Sequence, residues 1–175
     1  MVHHRGGGLL DHAFVWLTQS ARVGLLWLAI GIVVALVRRR PGLLLPLVAA
    51  DLIADLISGL IKTLTDRPRP PVRYPEPHPL IKVPNDSSFP SGHAATSFAC
   101  ATVLTAYEPR LAPLWIVLAS AVAFSRVYVG VHYPLDVIVG AALGVVVGLG
   151  VLYVTRALRR RGAGLRRSPR SPTPG

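Results

Sequence analysis

Residues 23–37, VGLLWLAIGIVVALV, carry no charge and end directly on Arg38-Arg39-Arg40. An uncharged apolar run closed by a basic triplet suits a segment that crosses a hydrocarbon core, which takes about 20 residues of helix. The run extends toward Ala13 when Arg22 snorkels to the interface. Pro41 and Gly42 then turn the chain into Leu43 to Leu64, a second run of spanning length. Three more follow: Gly92 to Tyr107, Ala112 to about Phe124, and Pro134 to Val154. The fold class is all-α, a polytopic transmembrane helix bundle with five crossings. Leu9, Leu10, Ala13, Phe14 and Leu17 recur at helical spacing, so an interfacial helix precedes the crossings and makes six helices in all. The third run is short for a perpendicular span and needs support from its flanks. A cleaved signal peptide fits less well, because the apolar run starts late and meets the basic triplet without a small-residue cleavage site.

Composition agrees with a membrane protein: 51% of the 175 residues are hydrophobic and 15% charged, with a mean hydropathy of +0.49. One domain is expected over residues 1–155, followed by a basic, disordered tail over 156–175. Lys and Arg number 19 against 8 Asp and Glu, a formal +11. Such a balance meets phosphate. In an apolar chain anionic lipid head groups of the membrane or a phosphorylated substrate fit this balance better than nucleic acid. Cys100 stands alone in an apolar stretch and offers neither an intrachain disulfide nor a metal cluster.

Loop charges set the orientation. Arg38 to Arg40 and the tail from Arg156 belong in the cytoplasm by the positive-inside rule, and four crossings between them leave both on one side. The loops Thr65 to Ser91 and Arg126 to Tyr133 then face the extracytoplasmic side of the cell membrane. They are basic too, so Arg67, Arg69, Lys82 and Arg126 are held there by function rather than by topology. The long loop is too proline-rich to be a helix, and a loop of that length carries function or disorder.

Three clusters converge on that side. The first is Lys62 at the end of the second run, followed by Arg67, Arg69 and Pro70; alone it reads as interfacial snorkelling. The second is Ser88-Phe89-Pro90-Ser91-Gly92-His93, where free N–H groups at a helix start face an anion and Gly92 permits close approach. Ser91 also reads as a plain N-cap. In the third, Ser125-Arg126 is followed by His132 and Asp136. Pro134 suits the first turn of the last helix, so the carboxylate can take one imidazole N–H and leave the other nitrogen free to attack. The alternative is a structural His–Asp pair. Together, two histidines, a carboxylate and several cations suit phosphoryl transfer. They do not suit zinc: a third ligand at metal-site spacing is lacking, so no metal and no cofactor is expected.

These residues resemble the signature of the type 2 phosphatidic acid phosphatase (PAP2) and haloperoxidase superfamily: Lys-x6-Arg-Pro, Pro-Ser-Gly-His and Ser-Arg-x5-His-x3-Asp. All three parts match without a gap over residues 62–136. The resemblance implies a metal-independent membrane lipid phosphatase in which His132 is the nucleophile, Asp136 orients it and His93 protonates the leaving group. It also implies that Lys62, Arg69, Ser91, Gly92 and Arg126 bind the substrate phosphate. Family members commonly have six crossings, one more than this reading supports. The substrate is expected to be undecaprenyl pyrophosphate, with phosphatidate or phosphatidylglycerophosphate as the alternative. A vanadate-dependent haloperoxidase would share the site, but those enzymes are soluble.

Two features lie outside the signature. Asp51, Asp55 and Lys62 share a stripe of the second run, which reads either as support for Lys62 or as interhelical hydrogen bonding. Gly140, Gly144 and Gly148 line one face of the last run, for close packing within the bundle or for a homodimer face.

Overall fold

The computed structural model describes residues 8–21, 24–76 and 78–165, the last four as backbone, and among them there are helices and no strand. The helices are α1 (Leu9–Ser20), α2 (Leu25–Val37), α3 (Leu44–Thr65), the single turn α4 (Pro70–Arg73), α5 (Gly92–Tyr107), α6 (Ala112–Tyr128) and α7 (Pro134–Leu165). Arg22, Pro77 and the end of the basic tail lie outside the described residues.

Three segments are long and apolar enough to cross a membrane by themselves: Pro41–Arg73, Pro109–Tyr128 and Pro134–Arg161. The α1–α2 pair, bent by 74°, makes a fourth if it is one span. The third expected crossing, α5, has 16 residues and falls short of spanning length by itself. It lies at the centre instead, packed by α3, α6 and α7 and touched by α2. This position explains its composition. Ala94, Ala95, Ala99, Cys100, Val103 and Leu104 are buried against neighbouring helices rather than against lipid, so small residues replace the large apolar ones of a lipid-facing helix. The outer helices show the reverse pattern, with Leu45, Leu52, Leu56 and Leu60 of α3 and Ile138, Val146 and Leu149 of α7 exposed.

The glycine stripe brings α7 onto α5. A Cβ on Gly140 would lie 2.5 Å from the Ser91 carbonyl oxygen, and one on Gly144 would lie 2.2 Å from that of Ala95. The stripe therefore serves packing within the bundle. On the other flank, the Trp27 indole of α2 donates to Ser97 Oγ of α5 at 3.0 Å, so both groups are satisfied in the core.

Several boundaries differ from the sequence reading. α6 continues past Phe124 to Tyr128, placing Arg126 in its last turn instead of in a loop. α7 continues past residue 155 to Leu165, because Arg, Ala and Leu in that stretch are good helix formers once a long helix leads into them. The proline-rich loop contains one helical turn, α4, with Pro70 at its start, where a missing N–H costs nothing.

Candidate functional site

α3 and α6 end at one pole of the bundle, while α5 and α7 begin there. The alternation of helix direction thus carries Lys62, Arg126, His93 and Asp136 to one layer. Asp66, in the left-handed region at φ 38°, terminates α3 and sends the loop back over that layer. The loop is tied down by Ser88 N–H donating to the Arg67 carbonyl at 2.8 Å and by Leu80 N–H donating to the Val129 carbonyl at 3.2 Å. After α6, Gly130 at φ 80° lets the chain double back, so that both Val131 and His132 N–H groups reach the Arg126 carbonyl.

Arg69 organises the centre. It is 3% exposed, and its guanidinium donates to the Val131 carbonyl at 2.9 Å and to His132 Nε2 at 3.1 Å. Its other edge meets the Asp86 carboxylate at 2.6 Å. Asp86 also takes the Lys62 ammonium at 2.5 Å. This double pairing holds the Asp86 carboxyl down at about 2, against the upward push of its partial burial. One loop carboxylate thus positions two cations that come from different parts of the chain.

The tautomer of His132 follows from its neighbours. Arginine can only donate, so Nε2 accepts and is unprotonated, which leaves the proton on Nδ1, facing Asp136 Oδ2 at 3.6 Å. Burial pushes the His132 pKa down to about 4, reinforced by the Arg69, Arg126 and Lys62 charges and opposed by the Asp136 carboxylate. Asp136 itself is fully buried. Its carboxylate accepts from Arg67 Nη1 at 2.6 Å, Ser88 Oγ at 2.5 Å and the Tyr133 N–H at 2.9 Å. Arg67 also lies over the Tyr133 ring, 4.5 Å from its centroid.

Arg126 is held from the N-terminal side of the chain. Its Nη1 donates to Thr18 Oγ1 at 2.6 Å. Tyr128 donates to Asp11 Oδ1 at 2.8 Å, and the Phe14 ring sits 5.6 Å from Phe124 and 4.4 Å from Tyr128. α1 is therefore docked on the end of α6 rather than lying free at the interface.

Lys62, Arg69, Gly92, His93, Arg126 and His132 line one cavity of about 280 Å³. His93 Nε2 is buried there without a hydrogen-bond partner. Asp136 and Ser91 stand behind the lining. The Ser91 hydroxyl caps α5, accepting from the Ala94 N–H at 3.5 Å, and the Ser91 N–H donates to the Asp136 carbonyl at 2.9 Å. Asp51 and Asp55 reach the far end of the same cavity. Gly24, in the left-handed region, leaves room for Asp51, since a Cβ there would overlap its carboxylate.

Residues 43–160 match the family model of the PAP2 superfamily. The chain belongs to that superfamily. Among its relatives is the decaprenylphosphoryl-5-phosphoribose phosphatase of Mycobacterium tuberculosis, 44% identical over 130 residues, 72% of this chain and 68% of the relative. The bacitracin transport permease protein BcrC of Bacillus licheniformis is 36% identical over 111 residues, 63% of this chain. The match spans 55% of that relative's length. The crystal structure of Aquifex aeolicus LpxE superposes with a TM-score of 0.75 at 29% identity, covering 85% of this chain and 88% of the other. The expected membership of the PAP2 superfamily is thereby met.

Two residues of this PAP2 site, Thr18 and Asp86, escaped the sequence reading. Arg67 and Ser88 were visible in the first and second clusters but had no assigned partner. Thr18 and Asp86 carry no spacing signal, because each reaches the site from a distant helix or a loop whose path periodicity does not reveal.

Proposed function

We propose that this PAP2 protein releases phosphate from a polyprenyl-linked phosphate or pyrophosphate through a phosphohistidine on His132. The observation that carries the reading is the His132 ring itself: its unprotonated Nε2 accepts from Arg69 at the wall of the cation-lined cavity and becomes free to attack when that guanidinium turns to the phosphoryl oxygens, while Nδ1 faces Asp136. Attack by Nε2 on phosphorus leaves a positive charge on the ring, and the buried Asp136 carboxylate stabilises it. Lys62, Arg69 and Arg126 neutralise the phosphoryl oxygens. N–H groups of the first turn of α5 at Gly92 and His93 add donors without side-chain obstruction. Ser91 contributes by capping that turn. His93, its Nε2 otherwise unpartnered, gives the leaving oxygen its proton, and water later frees the phosphate from His132.

The polyprenyl preference is supported by the name of the 44% identical relative. The site faces the extracytoplasmic side in this reading and the C-terminus the cytoplasm, because the densest Arg segments, Arg38–Arg40 and Arg156–Arg161, lie at the opposite pole. The test is phosphate release from undecaprenyl pyrophosphate and from phosphatidate by detergent-solubilised protein in EDTA. Wild type is expected to work in EDTA and His132→Ala to lose at least about 10³-fold in kcat. Equal turnover by the variant would remove His132 as nucleophile, and a faster rate with phosphatidate would replace the polyprenyl assignment.

A further inference from the structure

Past His93 and Arg126, a second chamber of about 370 Å³ adjoins the first. Thr18 and Gln19 of α1 line it from one side, and Lys82 and Asn85 of the long loop from another. His93 and Arg126 belong to both chambers, whereas His132, Lys62 and Arg69 line only the first. The chambers also differ in charge. Three carboxylates, Asp51, Asp55 and Asp86, reach the first chamber, while the lining of the second contains none. Gln19, Lys82, Asn85 and Arg126, all side chains that carry N–H donors, are among its lining residues.

In-line displacement puts the attacking nitrogen and the departing oxygen on opposite sides of phosphorus. With His132 attacking from the first chamber and His93 serving the departing oxygen, the leaving group extends past His93. We infer that the second chamber is the leaving-group site, and that Lys82 selects a leaving group carrying its own anion, as the inner phosphate of a lipid pyrophosphate does. This rests on the phosphohistidine reading and narrows its substrate class. The His132 Nε2–P bond forms as the bond from phosphorus to the bridging oxygen breaks. That oxygen takes the electron pair and the His93 proton and stays with the lipid monophosphate, which faces Lys82 and Asn85. A diacylglycerol leaving group is neutral and offers Lys82 no charge to meet, so the same contact discriminates against it.

The test uses binding rather than turnover. Affinities of two non-hydrolysable ligands with the same prenyl tail, a methylenebisphosphonate and a monophosphonate, are measured by calorimetry on wild type, Lys82→Met and Lys82→Arg. Wild type is expected to favour the bisphosphonate by at least about tenfold, Lys82→Met to lose most of that advantage, and Lys82→Arg to keep it. An advantage that persists in Lys82→Met, or that wild type lacks, overturns the inference. Failure of the phosphohistidine reading would appear separately, as undiminished turnover by His132→Ala, and would leave these binding ratios measurable.

Discussion

In the proposed mechanism His132 depends on two neighbours that divide its ring between them. Arg69 fixes which nitrogen is bare, and Asp136 faces the one that carries the proton. A free imidazole near pH 6.5 would be partly protonated in mildly acidic medium. Here burial and three cations push it down to about 4. The sign follows: the proposed nucleophile is neutral above that value, and kcat/KM, corrected for the substrate's own phosphate ionisation, is expected to fall only as pH drops through about 4. The same depression makes stability from this group complete above about 6.5 and progressively lost toward pH 4, because the unfolded chain binds the proton first. A pH–rate profile with an acid limb near 6.5 would show that the ring is not desolvated as described. At this scale the sequence was informative where chemistry demands fixed spacing, as in His132 and Asp136 four residues apart. It placed Arg67 and Ser88 in clusters but did not reveal that both grip the same carboxylate, from the loop and from just before α5. Their partner stands well over forty positions away, and no periodicity links them to it.

The elements that carry these residues are held at two close contacts. The first is α1 on α6, where Thr18 takes the Arg126 guanidinium. Thr18→Val keeps the shape but removes the acceptor, so Arg126 loses its alignment; about a tenfold fall in kcat/KM is expected, with thermal stability in detergent little changed. Thr18→Ser restores the hydroxyl and should recover most of the rate. A variant that loses stability and rate together, with no rescue by Ser, would make Thr18 a packing residue only. The second contact is α5 on α7. Gly144→Ala places a methyl 2.2 Å from the Ala95 carbonyl oxygen, a backbone atom that cannot step aside. A loss of about 3 kcal/mol is expected, while Gly150→Ala, which meets nothing within 4 Å, should be neutral or slightly stabilising. Detergent melting curves of the two variants decide it. Helices α3 and α5 were legible to within a residue because apolar runs end at strong breakers. The length of α6 was not, since Ser125 and Arg126 read as polar loop until Thr18 and the buried turn supply them with partners.

Across the whole molecule, charge is divided between the two poles in different ways. At the pole away from the site, Arg38 and Arg40 lie 3.4 and 3.5 Å from the Glu108 carboxylate, and Arg159 donates to the Gly42 carbonyl at 3.2 Å. At the site pole, Lys62 and Arg69 share Asp86 and Arg67 pairs with Asp136. These site-pole cations are matched by carboxylates within the folded layer, so they can be kept on the far side of the membrane although they count against the positive-inside rule. At the other pole the single Glu108 carboxylate faces the Arg38–Arg40 triplet and leaves Arg156–Arg161 in excess, so that pole should remain cytoplasmic. Cys100 is buried, so single exposed cysteines report without background. Glu76→Cys in the long loop should react with a membrane-impermeant maleimide in intact cells, and Arg161→Cys only after lysis. The opposite pattern would turn the site inward. Its lipid phosphate would then have to be presented from the cytoplasmic leaflet, and the Arg segments would face outward despite their density, so the paired cations of the site would have to set topology in their place.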